Sequence, residues 1–183
     1  GGVKLADVLR AAGVRPDGRE VVFFGRDSGT ETIRRTEVEQ RFARSLSLDD
    51  ALNLNVMLAF EMNGEPLPYA HGAPVRLIVP GWYGVAQVKW LEEIRLKDTR
   101  FMGRFMARDY VTLRGYEDGD TTRWLETSVG PQRLKSVIVR VTRTGDRYKI
   151  LGFALCDGTA LESIEVRIDG GAWHRAEIDP ESS

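Results

Sequence analysis

Cysteine is almost missing: Cys156 is the only one in 183 residues. That excludes an internal disulfide, a multi-cysteine zinc site and a protein-ligated iron–sulfur cluster, and it leaves the compartment, periplasmic or cytoplasmic, open. Long apolar runs are missing too. None approaches the ~20 residues that a membrane-spanning helix needs. Nor is there an excess of one charge sign, since 26 Lys and Arg face 27 Asp and Glu for a net charge of -1. Bulk attraction to nucleic acid or an anionic membrane is thereby excluded, and any anion site must be local. There is no initiator Met, no charged n-region with an apolar stretch behind it, no internal repeat and no low-complexity tract. Gly1-Gly2-Val3 reads as an entry in mid-chain, and Asp179-Pro180-Glu181-Ser182-Ser183 as the cut end of an unfinished sheet.

What is present is ordinary for a soluble globular chain, 42% hydrophobic and 29% charged. The length suits one full core or parts of two. Leu5, Val8, Leu9 and Ala12 share one helical face, with Gly13 as a left-handed stop. Glu20 to Phe24 reads as a buried strand that ends at Gly25 and delivers Arg26 and Asp27 to its edge. Ser47-Leu48-Asp49-Asp50 has the pattern of a helix start, running through Leu52. Val56 to Met62 is an apolar strand candidate closed by an Asn63-Gly64 turn. Pro66, Pro68, Pro74 and Pro80 then restrict pairing, with room for a short strand from Val75 to Val79. Gln87 to Leu96 reads as a strand with a bulge. From about Leu134 the texture changes, with Val137, Val139 and Val141, and later Ile164, Val166 and Ile168, alternating with polar residues ahead of a turn at Asp169-Gly170-Gly171 and Trp173. That alternation points to a β-sandwich after a boundary near residues 127 to 134.

Chemistry concentrates between Glu61 and Leu91. Glycines and prolines between short strands make a rigid backbone that a ligand can approach closely. Within it His71, Arg76 and Lys89 offer a directed N–H, a planar fork and a point charge, a set suited to phosphate. By residue type alone each is also an ordinary surface or edge residue, and Asp27 is equally a turn former before Ser28-Gly29. Arg100, Arg104 and Arg108 would form one basic stripe if their stretch is helical, either to draw in an oxyanion or simply as a solvated face.

Four linked submotifs run without a gap from Glu61 to Leu91: Glu61-Met62-Asn63-Gly64 with Pro66-Leu67-Pro68, His71-Gly72 with Pro74 and Arg76, Val79-Pro80-Gly81, and Val88-Lys89-Trp90-Leu91. This order resembles the segment shared by sulfite oxidases, sulfite dehydrogenases and plant nitrate reductases. Weaker likeness extends over Val22 to Asp27, over Arg108-Asp109-Tyr110 and over the Asp169-Gly170-Gly171 hairpin with Trp173.

The resemblance implies an α+β fold: a mixed-sheet cofactor domain over residues 1–130, then part of an immunoglobulin-like dimerisation domain over residues 131–183. It implies a molybdopterin cofactor carrying molybdenum, contacted by Asp27, His71, Arg76 and the triplet Gln87, Val88 and Lys89. It makes Tyr110 the catalytic phenol beside the metal and Arg108 a substrate-binding residue. It further implies a small inorganic oxyanion as substrate, sulfite going to sulfate, with a haem or cytochrome as electron acceptor, in a homodimer. The family's metal-ligating cysteine lies upstream of the stretch matched here, so no metal ligand is assigned in this chain. Cys156, in the sandwich stretch, reads as a small buried hydrophobe.

Overall fold

Alternating and helical patterns sort the first half of the chain into short elements. In the computed structural model, which describes residues 1–179, β1 (Gly2–Lys4) leads into α1 (Leu5–Ala12). Leu5 and Leu9 are buried, and Gly13 ends the helix at φ 83°, a conformation that a β-carbon resists. The EVVFF run belongs to a longer strand, β2 (Glu20–Ile33), which turns at Arg34-Arg35 and returns as β3 (Thr36–Ser47). Ser47 then caps α2 (Leu48–Asn53), its hydroxyl accepting from the Asp50 N–H at 3.0 Å.

The expected strand from Val56 to Met62 is broken in two. β4 (Met57–Ala59) stops at Phe60, and β5 (Glu61–Met62) pairs across the Asn63-Gly64 turn with β6 (Glu65–Pro66). At the break, the Phe60 and Glu61 N–H groups both donate to the Gly1 carbonyl at 3.2 Å. β7 (Arg76–Ile78) and β8 (Leu91–Lys97) follow, then a single helical turn, α3 (Arg104–Ala107), and a hairpin of β9 (Val111–Asp118) and β10 (Thr121–Ser128). Two of the expectations need correction. Residues 87–90 are not strand, because Trp90 takes φ 48° and throws the chain out of register before β8. The stripe of Arg100, Arg104 and Arg108 does not form either, since only Arg104 of the three lies in helix.

Two three-stranded sheets result, β1-β4-β7 and β3-β2-β8. One core draws on both and on α1, through Leu5, Leu9, Val21, Phe23, Leu46, Leu58, Leu77 and Val88, each such side chain contributing roughly 1.5–3 kcal/mol when fully buried. Every strand pair among the described residues is antiparallel, where a mixed sheet is expected. The chain is mostly β with few helices.

The chain divides into two compact units, Gly1–Pro131 and Gln132–Ser183. The second holds two hairpins, β11 (Lys135–Thr144) with β12 (Arg147–Leu155), and β13 (Glu165–Arg167) with β14 (Trp173–Arg175). None of its described residues is buried. The reading of residues 180–183 as a cut end lies outside the described residues. No helix among the described residues is long and apolar enough to cross a membrane.

Candidate functional site

A defect in β2 makes the first wall of the site. Pairing with β3 jumps from Phe24↔Ala43 to Ser28↔Arg41, so Gly25, Arg26 and Asp27 stand opposite Phe42 alone and bulge outward. The Arg26 N–H donates to the Trp90 carbonyl at 2.9 Å. A β-carbon on Gly25 would collide with the Asp27 carboxylate and come within 3.0 Å of the Lys89 carbonyl oxygen. Glycine therefore lets Asp27 lie against the segment that carries Lys89. Asp27 therefore sits in a bulged strand and not in the turn that its neighbours Ser28-Gly29 suggest.

That segment, residues 84–90, is irregular and braced by side chains. A 3-10 turn over Gly84–Ala86 leads to Gln87, whose amide grips the backbone of Val79: Oε1 accepts from the N–H at 2.7 Å and Nε2 donates to the carbonyl at 2.8 Å. Both ends of the Gln87 amide are thus engaged in holding the backbone of this wall. Val88 is fully buried, and its carbonyl accepts from the Leu77 N–H at 2.8 Å. Lys89 and Trp90 emerge beyond it. The Lys89 ammonium lies 4.4 Å from the Trp90 ring centroid and donates to the Ala70 carbonyl at 3.1 Å, which leaves two of its three donors for a ligand.

The turn at Tyr69–His71 packs on this pair. Gly72, at φ 108°, has no room for a side chain beside Lys89. Trp90 ties the turn down twice, with its N–H on the Gly72 carbonyl at 3.1 Å and its Nε1 on the Tyr69 carbonyl at 2.9 Å. Arg76, at the head of β7, reaches back with Nη1 to the His71 carbonyl at 3.0 Å. Its Nε is buried without a partner, and burial pulls the guanidinium below its ordinary pKa. His71 itself is exposed.

A cavity of about 340 Å³ is lined by Asp27, Phe42, Gly84, Gln87, Lys89, Trp90 and Tyr110, among others. The structure thus brings Asp27, Gln87, Lys89 and Tyr110 together. His71 and Arg76 do not line the cavity; they join Lys89 through the 69–72 turn. Val88 is a core residue beneath it. Arg108, at the C-terminal end of α3, is exposed and outside the lining. Tyr110 is 42% exposed, with its ring 6.4 Å from that of Phe105. None of His71, Arg76 and Lys89 is paired with a carboxylate among the described residues, so the positive charge of Arg76 and Lys89 is available to an anion.

Among the described residues no three of His, Cys, Asp and Glu gather as a metal site. Cys156 is not the buried hydrophobe expected: it is partly exposed, and its thiol donates to the Thr159 carbonyl at 2.9 Å. Three participants were invisible from residue type. Gly25 and Trp90 act through backbone conformation. Arg44, on β3, is 1% exposed and donates to the carbonyls of Phe105 and Val129; the only sequence signal for it is its place within the apolar alternation of Phe42 and Leu46.

Residues 1–105 match the family described as oxidoreductase molybdopterin binding domain. The chain is 33% identical to mitochondrial sulfite oxidase of Mus musculus, over 98% of this chain and 34% of that protein. It is also 33% identical to sulfite oxidase of Arabidopsis thaliana, over 93% of this chain and 46% of that one. A nitrate reductase [NAD(P)H] of Hordeum vulgare is 31% identical over 97% of this chain and 22% of its own length. Among solved structures, the sulfane dehydrogenase SoxCD of Paracoccus pantotrophus matches with a TM-score of 0.72 at 28% identity, over 97% of this chain and 43% of that chain. The chain therefore spans a third to under a half of the length of the sulfite oxidases it matches.

Proposed function

Because the chain belongs to the oxidoreductase molybdopterin-binding family, whose cofactor is a molybdopterin, we propose that it forms part of an enzyme that oxidises sulfite to sulfate and passes the electrons to a haem or cytochrome. Residues 1–130 then belong to the cofactor domain, and residues 131–183 begin an immunoglobulin-like dimerisation domain of a homodimer. The observation that carries this reading is the Lys89 ammonium, set in a cavity wall beside Asp27 and Tyr110 with two donors to spare and no carboxylate partner among the described residues.

The residues fit the cofactor. A pterin presents amino and ring N–H groups, for which the exposed Asp27 carboxylate is an acceptor, and a phosphate, which suits the unpaired cations of Lys89 and Arg76 with the His71 N–H beside them. The buried, partnerless Nε of Arg76 is a donor in want of an acceptor. Gln87 and Val88 contribute through the backbone that the Gln87 amide holds rigid. When bound, the cofactor supplies the two-electron oxygen-transfer chemistry that no side chain can provide. Tyr110 donates a hydrogen bond to the oxyanion as negative charge grows on oxygen, and the exposed Arg108 draws the oxyanion toward the site.

The full-length protein tests this directly. Sulfite should reduce added cytochrome c, and neither nitrate nor a sulfoxide should turn over. Nitrate reduction is the second reading, favoured by the match to the barley enzyme, and a nitrate-dependent rate above that with sulfite would establish it. Absence of turnover on all three substrates at full molybdenum content would leave a non-catalytic interaction module. Lys89→Gln and Arg76→Gln should each lower molybdenum and pterin content, and Lys149→Gln should not.

A further inference from the structure

Arg44 is a buried guanidinium that pairs with no carboxylate among the described residues and donates only to backbone carbonyls, those of Phe105 and Val129. Burying an unpaired cation is costly, and here burial pulls its pKa down to about 10 while the Tyr110 phenol works in the opposite direction. A residue held at such a cost needs a purpose, and the hydrogen bonds show where its effect goes. Val129 presents its carbonyl to Arg44 and its N–H to the Tyr110 carbonyl, at 2.9 Å. Phe105, the other residue held, carries the ring that packs against Phe42 at 4.9 Å and against Tyr110 at 6.4 Å. Both attachments therefore converge on the backbone and ring of one tyrosine. Nearby bonds close the clasp: the Ser128 hydroxyl donates to the Met106 carbonyl at 2.6 Å, and Arg104 pairs with Asp109 at 2.6 Å.

We propose that Arg44 is a positioning residue for Tyr110, its guanidinium fork locking the α3 turn and the end of β10 together so that the phenol is held at the wall of the cavity. This rests on the reading of Tyr110 as the reaction-centre phenol. Arg is required because its planar fork holds two carbonyls in fixed relative positions, which the point charge of Lys does not do. A phenol freed by even an ångström loses most of its effect on a transition state while the protein still binds substrate.

The test uses the full-length protein with its tyrosines carrying 13C at Cζ, the Tyr110 signal being the one lost in Tyr110→Phe. Arg44→Lys should move the Tyr110 resonance and leave the other tyrosines in place. It should lower kcat about tenfold or more, with KM and molybdenum content unchanged. The double variant Arg44→Lys/Tyr110→Phe should be no slower than Tyr110→Phe alone, because a residue that acts through the phenol has nothing left to position. An unmoved Tyr110 resonance, or losses that multiply in the double variant, would overturn the proposal. Wild-type turnover in Tyr110→Phe would instead remove the reading of Tyr110, and the resonance would still decide whether Arg44 holds it. If Arg44→Lys does not fold, Val129→Pro removes the N–H given to Tyr110, with φ fixed at that position, and keeps the carbonyl for Arg44. The same resonance should then move, and a resonance that stays put would overturn the proposal.

Discussion

Gln87 and Val79 are joined as two strands would be, donor to acceptor in both directions at 2.7 and 2.8 Å, with a side-chain amide standing in for one of the backbones. Val79 is fully buried, so its two backbone groups have no water to turn to. Gln87→Leu, which keeps the bulk, leaves both unmet at roughly 1–3 kcal/mol each. The expected result is a loss of about 2 kcal/mol or more in urea denaturation, larger than for Gln40→Leu on the hairpin arm.

Gly25→Ala probes the bulge. The added methyl would stand against the Asp27 carboxylate and the Lys89 carbonyl, whereas one on Gly29 meets nothing within 4 Å. If Asp27 accepts from the pterin, moving it forfeits a hydrogen bond to a charged group, roughly 1.5–3 kcal/mol or about tenfold or more in affinity. Pterin and molybdenum content measured after purification should fall in Gly25→Ala and hold in Gly29→Ala. Equal content in both would detach Asp27 from the cofactor.

Tyr110→Phe deletes one hydroxyl and keeps the ring. Removing a donor of this kind commonly costs about a hundredfold in turnover, so steady-state rates at matched molybdenum content should fall by that order. Tyr148→Phe, on β12 of the second unit, should stay near wild type. The same rate in the two variants would take Tyr110 out of the reaction.

The hairpin turn at Arg34-Arg35 holds two non-glycine residues at φ 48° and 71°. Left-handed backbone costs such residues roughly 1–2 kcal/mol each, and Asn-Gly suits a two-residue turn of this form. Replacing the pair, Arg34→Asn with Arg35→Gly, should raise the thermal midpoint. Nothing in the structure explains why arginine stands at both positions.

These cases mark where local sequence stops being informative. The α1 stop at Gly13, the Ser47 cap and the Asn63-Gly64 turn are legible because each depends on the conformational habit of one or two residues. The β2–β3 hairpin was not, since its turn carries none of the residues that announce one. Gln87 to Trp90 reads as strand by composition, but Trp90 in left-handed backbone is fixed by its bonds to Gly72 and Tyr69, 18 and 21 positions away in sequence. At the site, the cations and Asp27 were found through motif order. Which of them share a cavity depended on a register jump in β2 that no pattern of residue types discloses. Arg44 was missed for the same reason, as its carbonyl partners lie 61 and 85 positions away.

Ionic strength should separate two things that the site keeps apart. The Gln87–Val79 brace carries no net charge, so added salt leaves the geometry of the 84–90 wall alone. The pull of Lys89 on an anion passes partly through solvent, where the screening length shrinks from about 30 Å at 0.01 M to about 3 Å at 1 M. In strong salt the cavity should therefore keep its shape while an anion arrives more slowly, a loss in association rate without any loosening of the protein.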